Sequence, residues 1–162
     1  MSLEKFEIQL LDECSDINIY TIHRVGESDS EFQKFAINHK DNSKVKDDFY
    51  RIMAWIQKIE ERGALERYFR TESKFKDNVC ALPIDTGKIR LYVLRLSDQI
   101  LILGNGGIKT TPTYNEDPIL NKYVTTLAAI DRQLSNKLKT GQLRIQGKEL
   151  IGIENAVFQI NM

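Results

Sequence analysis

Arg90, Arg95, Lys109 and Tyr114 gather around one hairpin and the glycine turn that follows it, in the stretch RLYVLRLSDQILILGNGGIKT at residues 90–110 and the loop just beyond. Arginine and lysine stabilise negative charge where it develops during a reaction, and tyrosine, lysine, histidine or a carboxylate can move a proton within hydrogen-bond reach. Both chemistries are therefore available to one short segment. Gly104, Gly106 and Gly107 separate its apolar run from Lys109. Glycine at the end of a strand pattern marks a bulge, a turn or a close approach of backbone. The glycines are expected to end the strand, shape a sheet edge and present Lys109 outward. Alternatively, Asn105-Gly106 forms a two-residue hairpin turn and residues 107–111 make a short strand of their own. GNGG is not GxGxxG, no helix follows at once, and a Gly-Lys-Ser/Thr ending is missing, so no nucleotide cradle is expected.

Other reactive residue types are sparse. His23 and His39 stand far apart without metal spacing and read as structural. Cys14 and Cys80 form no CxxC pattern, and in a chain without a signal-peptide pattern they read as two free buried thiols.

The elements that must position these residues follow from period and punctuation. Residues 6–10 and 17–22 alternate apolar and polar and read as strands, with a turn at 12–16. Ser28 and Glu31 have capping-box spacing ahead of Phe32, Phe35 and Ala36, which predicts a helix near 30–39. Phe49, Ile52, Met53, Ile56 and Ile59 recur at helical steps before Gly63, giving a second helix over 45–62, with Trp55 as packing on its flank. Residues 79–84 and 88–96 read as strands, the first an edge candidate because of Pro83. After a Ser97-Asp98 turn, residues 99–104 form a nearly continuous apolar strand suited to burial on both faces. Asp117-Pro118 then starts a helix carrying Leu120, Tyr123, Leu127, Ile130 and Leu134. Residues 142–145 and 150–153 suggest a further hairpin, and 156–160 a last strand. The expected fold is α+β: two N-terminal helices on a small twisted antiparallel sheet, then a C-terminal helix and an extra hairpin. Phe49, Ile52, Met53, Ile56, Leu91, Val93, Ile100, Ile102, Leu127 and Ile130 are expected to share one core.

The chain has 162 residues, 41% of them apolar and 28% charged, which suits one folded domain. No run reaches the ~20 apolar residues that span a bilayer, and a cytoplasmic location without membrane partners is expected. The formal net charge is zero. Residues 1–85 carry 13 Lys and Arg against 17 Asp and Glu, and residues 86–162 carry 10 against 6, so an anionic partner is expected to meet the second half.

Taken together, the segments EFQKF, FYRIMAWIQKIEERGA, RLYVLRLSDQILILGNGGIKT and YNEDPILNKYVTTLAAIDRQL resemble the RelE/HigB-like toxins of bacterial toxin–antitoxin systems. The resemblance covers roughly residues 17–136, with 137–162 a C-terminal extension of a single domain. It implies a metal-independent endoribonuclease, an mRNA interferase acting on message in the ribosomal A site, with no cofactor. A cognate antitoxin, a helix-turn-helix protein, is the implied partner alongside ribosome-bound mRNA. In that chemistry the 2′-OH attacks the adjacent phosphate. Arg90 matches the family's strand arginine, Lys109 the basic residue after the apolar strand and Tyr114 the tyrosine of the following loop, so these three are the expected catalytic residues. Arg95 is a candidate RNA-binding residue from this sequence alone. Ile89 stands where the family tends to have an aromatic. The neutral charge, with Glu66, Glu72 and Asp77 interleaved among the basic residues of the loop ahead of the sheet, keeps two alternatives open: a catalytically inactive, toxin-like protein-binding module, and a gyrase-poisoning relative.

Overall fold

The computed structural model describes residues 3–71, 78–82, 87–112 and 114–161. Its elements in chain order are β1 (Leu3–Glu13), β2 (Asn18–Arg24), α1 (Glu31–His39), α2 (Lys46–Arg62), β3 (Arg70–Thr71), β4 (Val79–Leu82), β5 (Ile89–Ser97), β6 (Ile100–Ile108), α3 (Pro118–Thr140), β7 (Arg144–Gln146), β8 (Glu149–Ile151) and β9 (Phe158–Asn161).

Local chemistry sets the helix ends. Ser30, not Ser28, caps α1: its hydroxyl accepts from the Gln33 amide while the Gln33 side chain accepts from the Ser30 amide. Both serines have a suitable partner three residues on, and the buried one is used. Gly63 ends α2 with φ +92°, a conformation that favours glycine. Asp117 caps α3 through the Ile119 and Leu120 amides, with Pro118 in its first turn and Gly141 in the left-handed conformation at its end.

Seven strands form one sheet in the order β3-β4-β5-β6-β2-β1-β9, and β7 and β8 form a separate hairpin. The expected meander is present: β4, β5 and β6 pair antiparallel in sequence. The expectation of a wholly antiparallel sheet is corrected, because β2 lies parallel to β6 at its centre, from Asn18↔Ile100 to Thr21↔Leu103. The helices also do not gather on one side. One core joins α1 and α2 to Ile19, Leu82, Leu91, Val93, Leu101 and Leu103. The other joins α3 and the C-terminal hairpin to Phe6, Tyr20, Tyr92, Leu94, Ile100 and Ile102. The single core expected from sequence is therefore two, split by the sheet: Phe49, Ile52, Ile56, Leu91 and Val93 lie on one side, with Met53 packed at its margin, and Ile100, Ile102, Leu127 and Ile130 lie on the other. The physical reason is the β6 run itself: residues apolar at every position bury on both faces only when each face has a layer over it.

β6 does not end at its glycines but continues through them to Ile108. A Cβ on Gly106 would lie 1.8 Å from the Arg90 carbonyl oxygen, and one on Gly104 would lie 2.9 Å from Leu127 Cδ1 and 3.0 Å from the Tyr92 carbonyl oxygen. The glycines thus let β5 and α3 approach β6, where the β5–β6 register shifts between Leu91 and Val93. Neither the strand-ending nor the hairpin-turn reading holds. β4 is covered by β3 and so is not an edge, and Pro83 lies outside the described residues. Cys14 and Cys80 are free thiols, the first half-buried and the second buried. Among the described residues, no helix is long and apolar enough to cross a membrane.

Candidate functional site

The β2–β6 ladder ends at Thr21↔Leu103, and beyond it the two strands part. From its carboxyl end β2 leads to α1 on one face of the sheet, while β6 leads to α3 on the other. A crevice at such a divergence is where open α/β sheets bind ligands. Here it is a cavity of about 410 Å³ floored by Phe6 and Ile22 and walled by Glu31, Lys34, Asn105, Lys122 and Tyr123, with Arg24, Thr126 and Ile119 at its margins.

Its polar groups interlock. Arg24 Nη1 lies 2.7 Å from Glu4 Oε1, and Lys122 Nζ lies 3.7 Å from the same oxygen. Lys34 Nζ donates to Glu27 Oε1 at 2.6 Å and to Glu31 Oε2 at 2.7 Å. Glu31 Oε1 accepts from Asn105 Nδ2 at 3.3 Å, and Asn105 Oδ1 accepts from the Gly106 amide at 2.7 Å. The Lys34 hydrogen bond is the main cause that holds the Glu27 carboxyl below its usual range. Burial opposes the charge on Lys34, yet its hydrogen bonds to Glu27 and Glu31 prevail and its pKa is raised. Burial, then the charge of Glu31, pushes the Tyr123 hydroxyl upward, so it stays protonated and available as a donor. Glu4 Oε2 is buried and has no hydrogen-bond donor among the described residues.

Two consequences follow. The charged side chains facing the cavity are three cations and one carboxylate, because Glu4 and Glu27 stand behind the lining. Both oxygens of that one carboxylate, on Glu31, are engaged by Lys34 and Asn105. The arrangement is suited to holding an anion. Its cations come from both halves of the chain, where the sequence had pointed to the second half.

The residues singled out in the sequence lie elsewhere. Arg90 pairs with Gly107 across β5 and β6, and the Lys109 amide donates to the Lys88 carbonyl at 2.7 Å, so Arg90 and Lys109 share one end of the sheet. Tyr114 joins them: its ring lies 6.4 Å from that of Tyr92, two residues along β5 from Arg90. Arg95 stands toward the opposite end, paired with Leu101. Arg90 is buried beneath the α3 face, and its Nη1 donates to the Gly87 and Ile89 carbonyls at 2.8 and 3.1 Å. Tyr114 is buried in the α3 core. Arg95 donates from Nε to the Ala64 carbonyl at 2.7 Å and pairs with Asp98, tying the end of α2 to the β5–β6 turn. Lys109 is half-buried.

Asp12, Cys14 and Glu60 bring three potential ligand atoms within 4.8 Å of one another. Burial first, then a hydrogen bond with Asp12, raises the Glu60 carboxyl, and burial first, then Asp12, raises the Cys14 thiol. Asp12 and Glu60 are thus hydrogen-bonded to each other. His23 bridges Gln9 and the Glu27 carbonyl, and His39 packs on Phe35 with ring centroids 4.9 Å apart, so both histidines are used in structure. No family model, curated protein or solved structure matches this chain, and its function has to be read from geometry.

Proposed function

We propose that this chain is a small-molecule-binding domain whose crevice between the carboxyl ends of β2 and β6 takes a ligand bearing a carboxylate or phosphate. The observation that carries the reading is the lining itself: Arg24, Lys34 and Lys122 face a cavity of about 410 Å³ with one committed carboxylate, and Asn105, Thr126 and Tyr123 add polar groups over an apolar floor. Cavities of roughly 300–1,000 Å³ with an apolar body and a few convergent polar groups are the usual form of such sites. The cations of the existing ion pairs are partly exposed, and a bound anion competes for them with Glu4, Glu27 and Glu31. Inorganic phosphate, pyrophosphate and a panel of mono- and dicarboxylates, titrated in a thermal-shift assay, test it. A saturable rise in Tm is expected with at least one probe, abolished in a Lys34→Gln/Lys122→Gln variant. No shift with any probe, or a shift that the variant retains, overturns the reading.

One observation favours a second reading, that of the metal-independent endoribonuclease: Arg90, Lys109 and Tyr114 share one end of the sheet, over a helix pair and meander of the kind that the toxin resemblance implies. Against it, the Arg90 guanidinium is buried and bonded to backbone carbonyls, whereas charge on a scissile phosphate requires donors aimed at it. Induced expression should then arrest growth and cut ribosome-bound message, and Arg90→Ala should relieve both. A folded chain that is harmless and cuts no message excludes the ribonuclease and leaves the crevice reading intact.

A further inference from the structure

The other long edge of the sheet is left incomplete. β9 covers β1 only from Leu3↔Asn161 to Phe6↔Phe158, whereas β1 runs on to Glu13. At about 3.3 Å per residue, the overhang of residues 7–13 is roughly 20 Å of strand, and β1 also meets the turn at Ile153–Asn155 that leads into β9. Leu10 and Leu11 on it are 51% and 43% exposed, and a register shift interrupts the β1–β2 ladder between Leu10 and Asp12. Beside this edge, the β7–β8 hairpin and the turn after it enclose a cleft of about 620 Å³.

The cleft has a definite chemical character. Glu7, Glu13, Glu149 and Glu154 line it, and its lining contains no lysine or arginine. Lys148, next in sequence to Glu149, turns its ammonium to the Cys14 carbonyl at 2.5 Å. Asn18 lines the same space at 2% exposure, and its Oδ1 has no donor among the described residues. Its Nδ2 meets the Tyr20 hydroxyl at 3.4 Å, and that hydroxyl accepts from the Leu150 amide at 3.1 Å, so the base of the cleft is fixed by the hairpin itself. A buried acceptor without a donor and four carboxylates without an ion pair, both among the described residues, call for a cationic donor group.

We propose that the overhang of β1 takes up an extended, lysine- or arginine-bearing segment of a partner protein as an added strand, with its cationic side chains entering the Glu149–Glu154 cleft. An open strand edge supplies main-chain hydrogen bonds, which give affinity, and the flanking cleft reads alternate side chains, which gives specificity. This interaction is independent of the anion crevice, which opens beyond the other end of β2. Its partner has the opposite charge.

The test uses the full chain and a capped hexapeptide of alternating lysine and valine, with a glutamate–valine hexapeptide and spermidine as comparisons. The lysine peptide should bind with an affinity that falls steeply with salt, slow amide hydrogen exchange within residues 7–13, and bind at least tenfold more weakly to Glu149→Gln/Glu154→Gln. These substitutions are on the surface and should leave the fold unchanged. Failure of the lysine peptide to bind overturns the proposal, as does equal binding of the glutamate peptide. Binding of spermidine with the same affinity, and no slowing of exchange by the lysine peptide, reduces the cleft to a cation pocket and also overturns it.

Discussion

Glu31 in the first turn of α1 accepts a hydrogen bond from the side chain of Asn105 on β6 at 3.3 Å, and both residues are buried. The contact joins the helix on one face to the strand that leads to α3 on the other, and it forms one wall of the crevice. A carboxylate in the first turn is also favoured by the helix dipole.

Asn105→Ala leaves the Glu31 oxygen buried without that donor and removes the acceptor for the Gly106 amide. A loss of about 1–3 kcal/mol is expected, measured by urea unfolding. Asn105→Asp sets two carboxylates against each other. It should be more destabilising at pH 7 than at pH 4, and equal loss at both would show that the pair is not electrostatically coupled.

His39 makes stability depend on pH. Burial holds its ring below the ordinary value of about 6.5, and a hydrogen bond with the Gly106 backbone offsets this only in part. Below that value the unfolded chain binds more protons than the folded one. Stability therefore falls as the pH drops below about 6.5 and is insensitive to His39 above it. His39→Gln should flatten the curve between about pH 5 and 7, and urea midpoints that run parallel to those of the wild type would remove this assignment.

Gly106 and Gly147 separate two uses of glycine. Alanine at 106 sets its Cβ 1.8 Å from the Arg90 carbonyl, so β5 and β6 must move apart, whereas Gly147 has φ +60° and open space around it. Gly147→Ala should cost only about 1–2 kcal/mol of left-handed strain. Gly106→Ala should cost more than that or prevent folding, as read by circular dichroism and thermal melting.

The sheet separates Ile56 from Leu127, which belong to different cores. Each alanine substitution should cost about 2–5 kcal/mol. The two costs should add to within about 0.5 kcal/mol in the double variant. A larger departure, measured in a double-mutant cycle, would mean that the two cores act as one.

The helices and the meander were legible because their signals are local. Asp117-Pro118 marks the start of α3, and the apolar steps of α2 stop at Gly63. The parallel β2–β6 pair was not legible, since alternation along Asn18–Arg24 says nothing about which strand lies alongside. Arg90 read as a catalytic residue, but it is buried on the α3 side with its guanidinium on backbone carbonyls. The continuous run Ile100–Leu103 was the hint that both faces are covered. The crevice left almost no local trace, because Arg24, Lys34, Asn105 and Lys122 come from four different elements. Lys34, Asn105 and Lys122 lay inside stretches that drew notice, but none as a site residue, and Asn105 read there as a possible turn residue.

Thr21 Oγ1 donates to the Leu103 carbonyl at 3.0 Å across 82 positions of sequence, so β2 gains its neighbour β6 only after the chain between them has been made. Of the strands in this sheet the β1–β2 hairpin is made first, yet β6 closes one of its sides and β9 part of the other. At about 5–20 residues per second, the hairpin waits roughly 4–17 s for β6 and longer for β9. During that interval its apolar faces and both edges are uncovered, the condition in which strands pair with the wrong neighbour. The earliest strands of this sheet thus depend on neighbours made much later.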